Sequence, residues 1–191
     1  MKLYHNPQSR AAISKWLLDE AGAKYELVPI DLKKGEQKTP EFLKINPAGK
    51  LPALVDGEAR VFEGPAIAMY IAEKYPEAKL APPVGSPERG RYLSLMVYAT
   101  AQLEPAMGDK MLKQETSNSR GWTDANTVLD VVEKELGQGP WLFGEQFTAA
   151  DVVVGAMFIW MRLWGMPSGR PAIEAYVDRL QARPHAMKMG G

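Results

Sequence analysis

Hydrophobic positions in the first third of the chain follow two different periods, which indicate strands and helices in alternation. The pattern predicts short strands at 2–5 and 25–30. Between them, apolar residues recur at helical spacing from Arg10 onward, and Gly22 is typical of the residue that follows a helix. This order predicts a βαβ unit at the start of the chain.

A second set of signals completes this α/β region. The Thr-Pro pair at 39–40 predicts the start of a short helix, with threonine as cap and proline at the first helical position. Asp56-Gly57 lies between two apolar runs and predicts a tight hairpin over 53–62. Pro65 then opens a helix that ends near Tyr75.

The rest of the chain has a different character. A proline-rich stretch at 77–86 reads as a linker, and beyond it the strand signals disappear. Four helical stretches follow, at 87–115, 122–136, 148–164 and 171–182. We therefore predict an α/β domain over 1–76, the linker, and an all-helical domain over 87–191.

One segment of the helical region carries a strong folding signal. Thr148 and Asp151 have the spacing of a capping box, and Phe147 stands where a hydrophobic staple is found. The run that follows, 152–160, is apolar on every side, which is typical of a buried helix. Thr148 and Asp151 are therefore interpreted as folding residues and not as catalysts.

Composition narrows the possible chemistry. The 191 residues carry 23 Lys and Arg against 23 Asp and Glu, so the basic excess of a nucleic-acid or anionic-membrane binder is absent. With no cysteine, a disulfide framework, a cysteine nucleophile and a cysteine zinc site are excluded. The two histidines, His5 and His185, are too few for a histidine-rich metal site, so no metal is expected. No secretory or membrane-spanning pattern is present, and we expect a cytoplasmic protein.

Three motifs, in order, give the chain a specific resemblance. The segment 46–54 (NPAGKLPAL), the segment 63–67 (EGPAI) and the box at 147–151 (FTAAD) resemble the cytosolic glutathione S-transferases. The opening at 9–11 (SRA) looks closest to bacterial serine-type and chi-type members. The resemblance implies an N-terminal thioredoxin-like α/β domain followed by an all-α C-terminal domain. It also implies glutathione as co-substrate, a small hydrophobic electrophile and a homodimer.

The enzyme's task would be to lower the pKa of the glutathione thiol. Ser9 and Arg10 lie at the predicted start of the first helix, and we expect Ser9 to donate to the sulfur. Arg10 would add positive potential or bond the thiolate itself, as the resemblance to chi-type members implies. The competing interpretation is that Ser9 only caps the helix and Arg10 lies on its solvated face. Asn6 is a rival donor, and Tyr4 is a weaker one because a tyrosine in a short strand is usually packed.

The other glutathione contacts are expected at the two remaining loops of the α/β domain. The resemblance implies a cis bond before Pro52, pairing of the Leu51 backbone with the cysteinyl residue, and an ion pair from Lys50 to the glycyl carboxylate. Glu63 and Gly64 precede a helix, where backbone N–H groups suit the γ-glutamyl carboxylate. The family usually has serine where this chain has Gly64, so one hydroxyl donor is missing.

The electrophile pocket is expected beside the helix at 87–115, with Tyr98, Met96, Met107 and Met111 as candidates, although most of these are favoured as core residues. The leading hypothesis is a glutathione transferase. An isomerase, peroxidase or dehalogenase using the same thiolate remains open, as does a binding protein without catalysis, although Ser9, Arg10 and Lys50 together argue against the last.

Overall fold

A computed structural model of the chain describes residues 1–187. These residues form two compact units, one over 1–80 together with 185–187 and the other over 81–184. In the described part of the chain, no helix has the length and apolar character needed to cross a bilayer.

The first unit is a four-stranded mixed sheet with helices, as predicted. Its elements are β1 (Lys2–His5), α1 (Ala11–Glu20), β2 (Glu26–Pro29), α2 (Pro40–Leu43), β3 (Ala53–Asp56), β4 (Ala59–Phe62) and α3 (Gly64–Lys74). The strand order is β2-β1-β3-β4, with β1 parallel to β2 and the other two pairings antiparallel. Thr39 caps α2 as predicted, because its Oγ1 accepts the N–H of Phe42 at 3.3 Å.

The register of the sheet determines which loops share an end. Tyr4 of β1 pairs with Ala53 of β3, and Ala53 pairs with Phe62 of β4. Strand β1 finishes one residue beyond this row, whereas β3 begins at the row and β4 finishes at it. The segments 6–10, 46–52 and 63–64 therefore emerge at the same end of the sheet.

The second unit is helical. Its helices are α4 (Pro87–Tyr98), α5 (Glu104–Met111), α6 (Ala125–Leu136), α7 (Ala149–Leu163) and α8 (Pro171–Gln181). Its only strand-like pairing within the described residues is two isolated bridges, Trp141 with Gly144 and Phe143 with Gln146.

The prediction of one uniform helix at 87–115 is wrong in detail. Helices α4 and α5 are joined by a π-helical segment, Ala99–Leu103, and α5 ends at Met111. Pro105 lies two residues beyond the end of that segment; it has no N–H to donate, so the regular hydrogen-bond ladder cannot run through it. Helix α6 begins three residues later than predicted, because the Asp124 carboxylate accepts the N–H groups of Asn126 and Thr127 and so marks the cap.

Helix α7 is the buried centre of the second unit, as predicted. It begins with the expected capping box, and Asp151 is fully buried. The Asp151 carboxylate accepts four hydrogen bonds, from the N–H of Leu142 (2.8 Å), the N–H and hydroxyl of Thr148 (2.8 and 3.0 Å) and the hydroxyl of Tyr176 (3.1 Å). Burial raises the pKa of Asp151, although these hydrogen bonds oppose that shift.

Candidate functional site

The turn after β1 carries Ser9, whose hydroxyl is engaged on both sides. Ser9 Oγ donates to the carbonyl oxygen of Asn6 at 2.7 Å and accepts the N–H of Ala11 at 3.2 Å. The Ser9 main chain repeats the pattern, since its N–H donates to Asn6 O and its carbonyl accepts the N–H of Ala12, each at 3.1 Å. Ser9 therefore precedes the N-cap residue Arg10 and binds the first N–H of α1, and its one hydroxyl proton is directed to the carbonyl oxygen of Asn6.

Asn6 is held by its own side chain. Its Oδ1 accepts the N–H of Gln8 at 3.0 Å, and its Nδ2 donates to the carbonyl oxygen of Ile30 at 2.9 Å. Two other candidates at this turn differ in exposure. Arg10 is exposed, whereas Tyr4 packs edge-on against Phe42 with ring centroids 5.6 Å apart. Tyr4 is thus a packed residue, as its position in a short strand predicts.

The second loop, 46–52, is organised by a buried asparagine. Asn46 is 1% exposed; its Oδ1 accepts the N–H of Ala48 at 3.0 Å and its Nδ2 donates to the Lys50 carbonyl at 2.8 Å. Gly49 has a φ of +62°, and a Cβ there would lie 2.9 Å from the backbone carbonyl oxygen of Gln37, so a larger residue does not fit. The loop presents Lys50 as an exposed side chain.

Leu51 has a buried side chain, but its backbone is open, in the sense that its N–H and carbonyl form no hydrogen bond within the described residues. The bond between Leu51 and Pro52 is cis, as the resemblance implies. The Leu51 side chain is 9% exposed and packs with Ala11 and Ala53. Across residues 1–187, neither its N–H nor its carbonyl oxygen forms a hydrogen bond. Such a donor and acceptor, side by side at the end of a sheet, suit an extended peptide.

The third loop is the start of α3. Glu63 precedes the helix with a φ of +69°, an uncommon conformation for a residue with a side chain. Within the part of the chain that the structure describes, the N–H groups of Gly64 and Ala66 have no hydrogen-bond partner. Together with the helix dipole they provide a local positive potential. No atom lies within 4 Å of the position that a Cβ on Gly64 would take.

The candidates from the helical unit are mostly structural. Met96 and Met107 are buried in its core, whereas Met111 is 45% exposed. Tyr98 is half-buried, and burial raises the pKa of its hydroxyl. His185 is exposed. No cluster of three or more His, Asp and Glu side chains able to hold a metal is found in the described region.

Two residues of this region were missed by the sequence reasoning. Lys38 donates from Nζ to the Ala48 carbonyl at 3.1 Å, which places a second ammonium group at the loop that carries Lys50. Asn46 was read only as part of a motif, yet it holds that loop in shape. An Asn-Pro pair followed by a glycine is the signal for such a turn; the contact of Lys38 depends on the fold.

Comparisons with known proteins agree on one family. The glutathione S-transferase N-terminal domain matches residues 1–73, and the C-terminal domain of that family matches residues 115–179. Glutathione S-transferase 3 of Zea mays is 30% identical over 98% of this chain and 92% of its own length. The disulfide-bond oxidoreductase YfcG of Escherichia coli is 30% identical over 95% of this chain and 90% of its own.

The fold agrees with the sequence matches. A sphingomonad glutathione S-transferase, solved in complex with glutathione, superposes with a TM-score of 0.78 at 31% identity, covering 97% of this chain and 95% of that one. The chain therefore belongs to the glutathione S-transferase family, as its motifs predict.

Proposed function

We propose that this protein is a glutathione transferase that binds glutathione at the end of its sheet and adds the thiolate to a small hydrophobic electrophile. The observation that carries the proposal is the open N–H and carbonyl of Leu51. This backbone pair lies in the loop that bears ammonium groups, at the same end of the sheet as a helix start with two open N–H groups. Glutathione is an extended peptide with a carboxylate at each end, which is the shape and charge that this arrangement fits.

Each part of glutathione then has a named contact. The cysteinyl residue pairs with Leu51, beside the cis Pro52. The glycyl carboxylate meets Lys50, and we add Lys38 to that end because its ammonium lies at the same loop. The γ-glutamyl carboxylate meets the N–H groups at the start of α3, around Gly64, and the exposed Glu63 accepts from the γ-glutamyl amino group. Asn6 borders the cysteinyl end.

Ser9 and Arg10 are proposed to stabilise the thiolate. A hydrogen bond from Ser9 to a charged sulfur contributes about 1.5–3 kcal/mol, but the bond to Asn6 O, worth about 0.5–1.5 kcal/mol, is given up. The net gain of about 0–2.5 kcal/mol lowers the thiol pKa by up to about 1.8 units. The start of α1 and the charge of Arg10 add to this, since a helix N-terminus contributes about 0.3–1 kcal/mol.

The test measures binding and ionisation separately. Retention on immobilised glutathione reports binding, and an absorbance titration of the bound thiolate reports its pKa. We expect the wild-type protein to bind and to lower the thiol pKa, Ser9→Ala to raise that pKa, and Arg10→Ala to raise it by less. If Ser9→Ala leaves both the pKa and turnover unchanged while Arg10→Ala or Asn6→Ala raises the pKa, Ser9 is not the sulfur donor.

We also propose that the protein is a cytoplasmic homodimer with a role in detoxification. Leu93 and Val97, one helical turn apart on α4, are 42% and 59% exposed, and such an apolar strip favours association. The lack of cysteine fits a reducing compartment. Light scattering at micromolar concentration tests the dimer, and a monomeric mass contradicts it.

A second candidate function is reduction of small disulfides, favoured by the similarity to the disulfide-bond oxidoreductase. The chain has no thiol of its own, so bound glutathione thiolate would attack the disulfide, form a mixed disulfide and release one thiolate. A second glutathione thiolate then completes the reduction and yields oxidised glutathione. Parallel assays with an aromatic electrophile and a small disulfide distinguish the two, and isomerase, peroxidase and dehalogenase substrates extend the same panel. A protein that binds glutathione without shifting its thiol pKa would instead be a binding module.

A further inference from the structure

We propose that Asn6 is a positioning residue that holds the Ser9 hydroxyl in a resting orientation, from which its proton turns to the sulfur when the thiol ionises. This inference rests on the proposed function, because it takes Ser9 as the sulfur donor. It resolves the two interpretations of Ser9, helix cap and thiolate donor, into two orientations of one hydroxyl group.

The anchors of Asn6 fix it to the sheet. Its Nδ2 donates to Ile30 O at 2.9 Å, and the Ile30 N–H donates to His5 O at the same distance, directly beyond the paired ends of β1 and β2. Its Oδ1 accepts the Gln8 N–H, which closes the turn. The Asn6 carbonyl is therefore a fixed acceptor, and it takes both the N–H and the hydroxyl of Ser9.

The proton count at Ser9 Oγ determines what it can offer. A hydroxyl has one proton and two lone pairs. With the proton on Asn6 O and one lone pair on the Ala11 N–H, the remaining lone pair can accept from a thiol S–H but cannot stabilise a thiolate. When the thiol proton leaves to solvent, rotation about the Cβ–Oγ bond brings the hydroxyl proton to the sulfur. The Ser9 N–H remains on Asn6 O, so the turn keeps its shape.

It follows that Asn6 acts on the thiol only through Ser9, which a double-mutant cycle can test. Asn6→Ala removes both side-chain hydrogen bonds of Asn6, to Ile30 O and from Gln8 N–H, without adding a charge beside the sulfur. The pKa of bound glutathione is measured by thiolate absorbance in the wild type, Asn6→Ala, Ser9→Ala and the double variant. Because a released turn no longer holds the Ser9 hydroxyl beside the sulfur, we expect Asn6→Ala to raise the pKa by part of the Ser9→Ala shift, and the double variant to match Ser9→Ala.

Asn46→Ala is the matched control, because Asn46 has the same pair of side-chain hydrogen bonds in the other loop. We expect it to raise the KM for glutathione while the pKa of the bound thiol stays at the wild-type value. Thermal melting of each variant checks that the fold is intact.

The possible outcomes test the role of Asn6 and the role of Ser9 separately. Additive pKa shifts in the double variant would make Asn6 an independent donor, and no shift in Asn6→Ala would leave it without a positioning role. An equal pKa shift in Asn46→Ala would mean general loosening of the unit. Each of these overturns the inference while Ser9 remains the donor. If Ser9→Ala alone leaves the thiol pKa unchanged, the proposed role of Ser9 fails, and the inference falls with it.

Discussion

The polar groups at the start of α7 and those at the end of the sheet are arranged in opposite ways. Around Asp151, the carboxylate, the Thr148 hydroxyl and the Leu142 N–H all have partners inside the protein. At the end of the sheet, the Leu51 N–H and carbonyl and the Gly64 N–H have none among the described residues. Both regions belong to family motifs, so motif membership alone does not distinguish them.

The difference separates folding from binding. An internal network of hydrogen bonds leaves nothing for a ligand, and its value lies in the stability and uniqueness of the fold. Open backbone groups, in contrast, contribute no internal bonds and become useful when a ligand supplies the missing partners. Substitutions in the first region should therefore change stability, and substitutions in the second should change affinity for glutathione.

The largest expected effect is on stability, from Asp151→Ala. The change removes the acceptor of four donors and leaves buried N–H and O–H groups unpaired, so we expect a loss of about 4 kcal/mol in the free energy of unfolding. Denaturant titration measures it. Asp130→Ala, at an exposed ion pair with Arg170, is the control and should cost less than about 1 kcal/mol. Equal losses of stability in the two variants would contradict the view that the internal hydrogen bonds of Asp151 serve the stability of the fold.

The next effect is on affinity, from Lys50→Ala. Loss of an ammonium group facing the glycyl carboxylate should weaken glutathione binding about tenfold, equivalent to about 1.4 kcal/mol, and the deficit should shrink at high salt. Calorimetric titration measures both. Lys44→Ala, another exposed lysine of the same segment, should leave the affinity unchanged. A similar loss in both variants would indicate a diffuse charge effect in place of a specific contact.

Most of the fold was predictable because its signals are local. Thr39-Pro40, Asp56-Gly57 and the box at 147–151 fix helix starts and a hairpin through contacts within a few residues. The π-helical segment at 99–103 was missed, since Pro105 inside a long periodic stretch predicts a disturbance without specifying its form.

The candidate site was only partly predictable, for a related reason. Sequence patterns identify Ser9, Leu51 and Gly64 one by one as candidates. Only the register of three strands shows that their loops lie at one end of the sheet. The direction of the Ser9 hydroxyl proton depends on how Asn6 is tied to Ile30, 24 positions away. Contacts of that range follow from the assembled fold and leave no mark in a local pattern.

A smaller effect, an increase in affinity for glutathione, is expected from Gly64→Ser. The open space at this position admits a side chain, and its backbone has an ordinary negative φ. A hydroxyl at the start of α3 would give the γ-glutamyl carboxylate one more donor, which should tighten glutathione binding about fivefold, or about 1 kcal/mol. Gly90→Ser, at an equally open position on α4, should leave the affinity unchanged. Unchanged or weaker binding by Gly64→Ser would contradict placement of the carboxylate here.

The smallest effect tests whether every unpaired polar group indicates a ligand. Ser14 on α1 is 3% exposed, and its hydroxyl has no partner in the described structure. Removing a buried, unpaired hydroxyl should stabilise the fold, and alanine also favours the helix, so Ser14→Ala should gain about 0.5–1 kcal/mol. Ser94→Ala, at an exposed helical serine, is the control: it has the same helix-propensity gain but removes a solvent-exposed hydrogen bond to Gly90 O, so it should gain less than Ser14→Ala. Glutathione affinity should stay constant in both. If Ser14→Ala instead weakens glutathione binding, this buried hydroxyl also contributes to the ligand site. Folding groups and binding groups would then have to be distinguished by their position at the end of the sheet, and not by whether they lack hydrogen-bond partners.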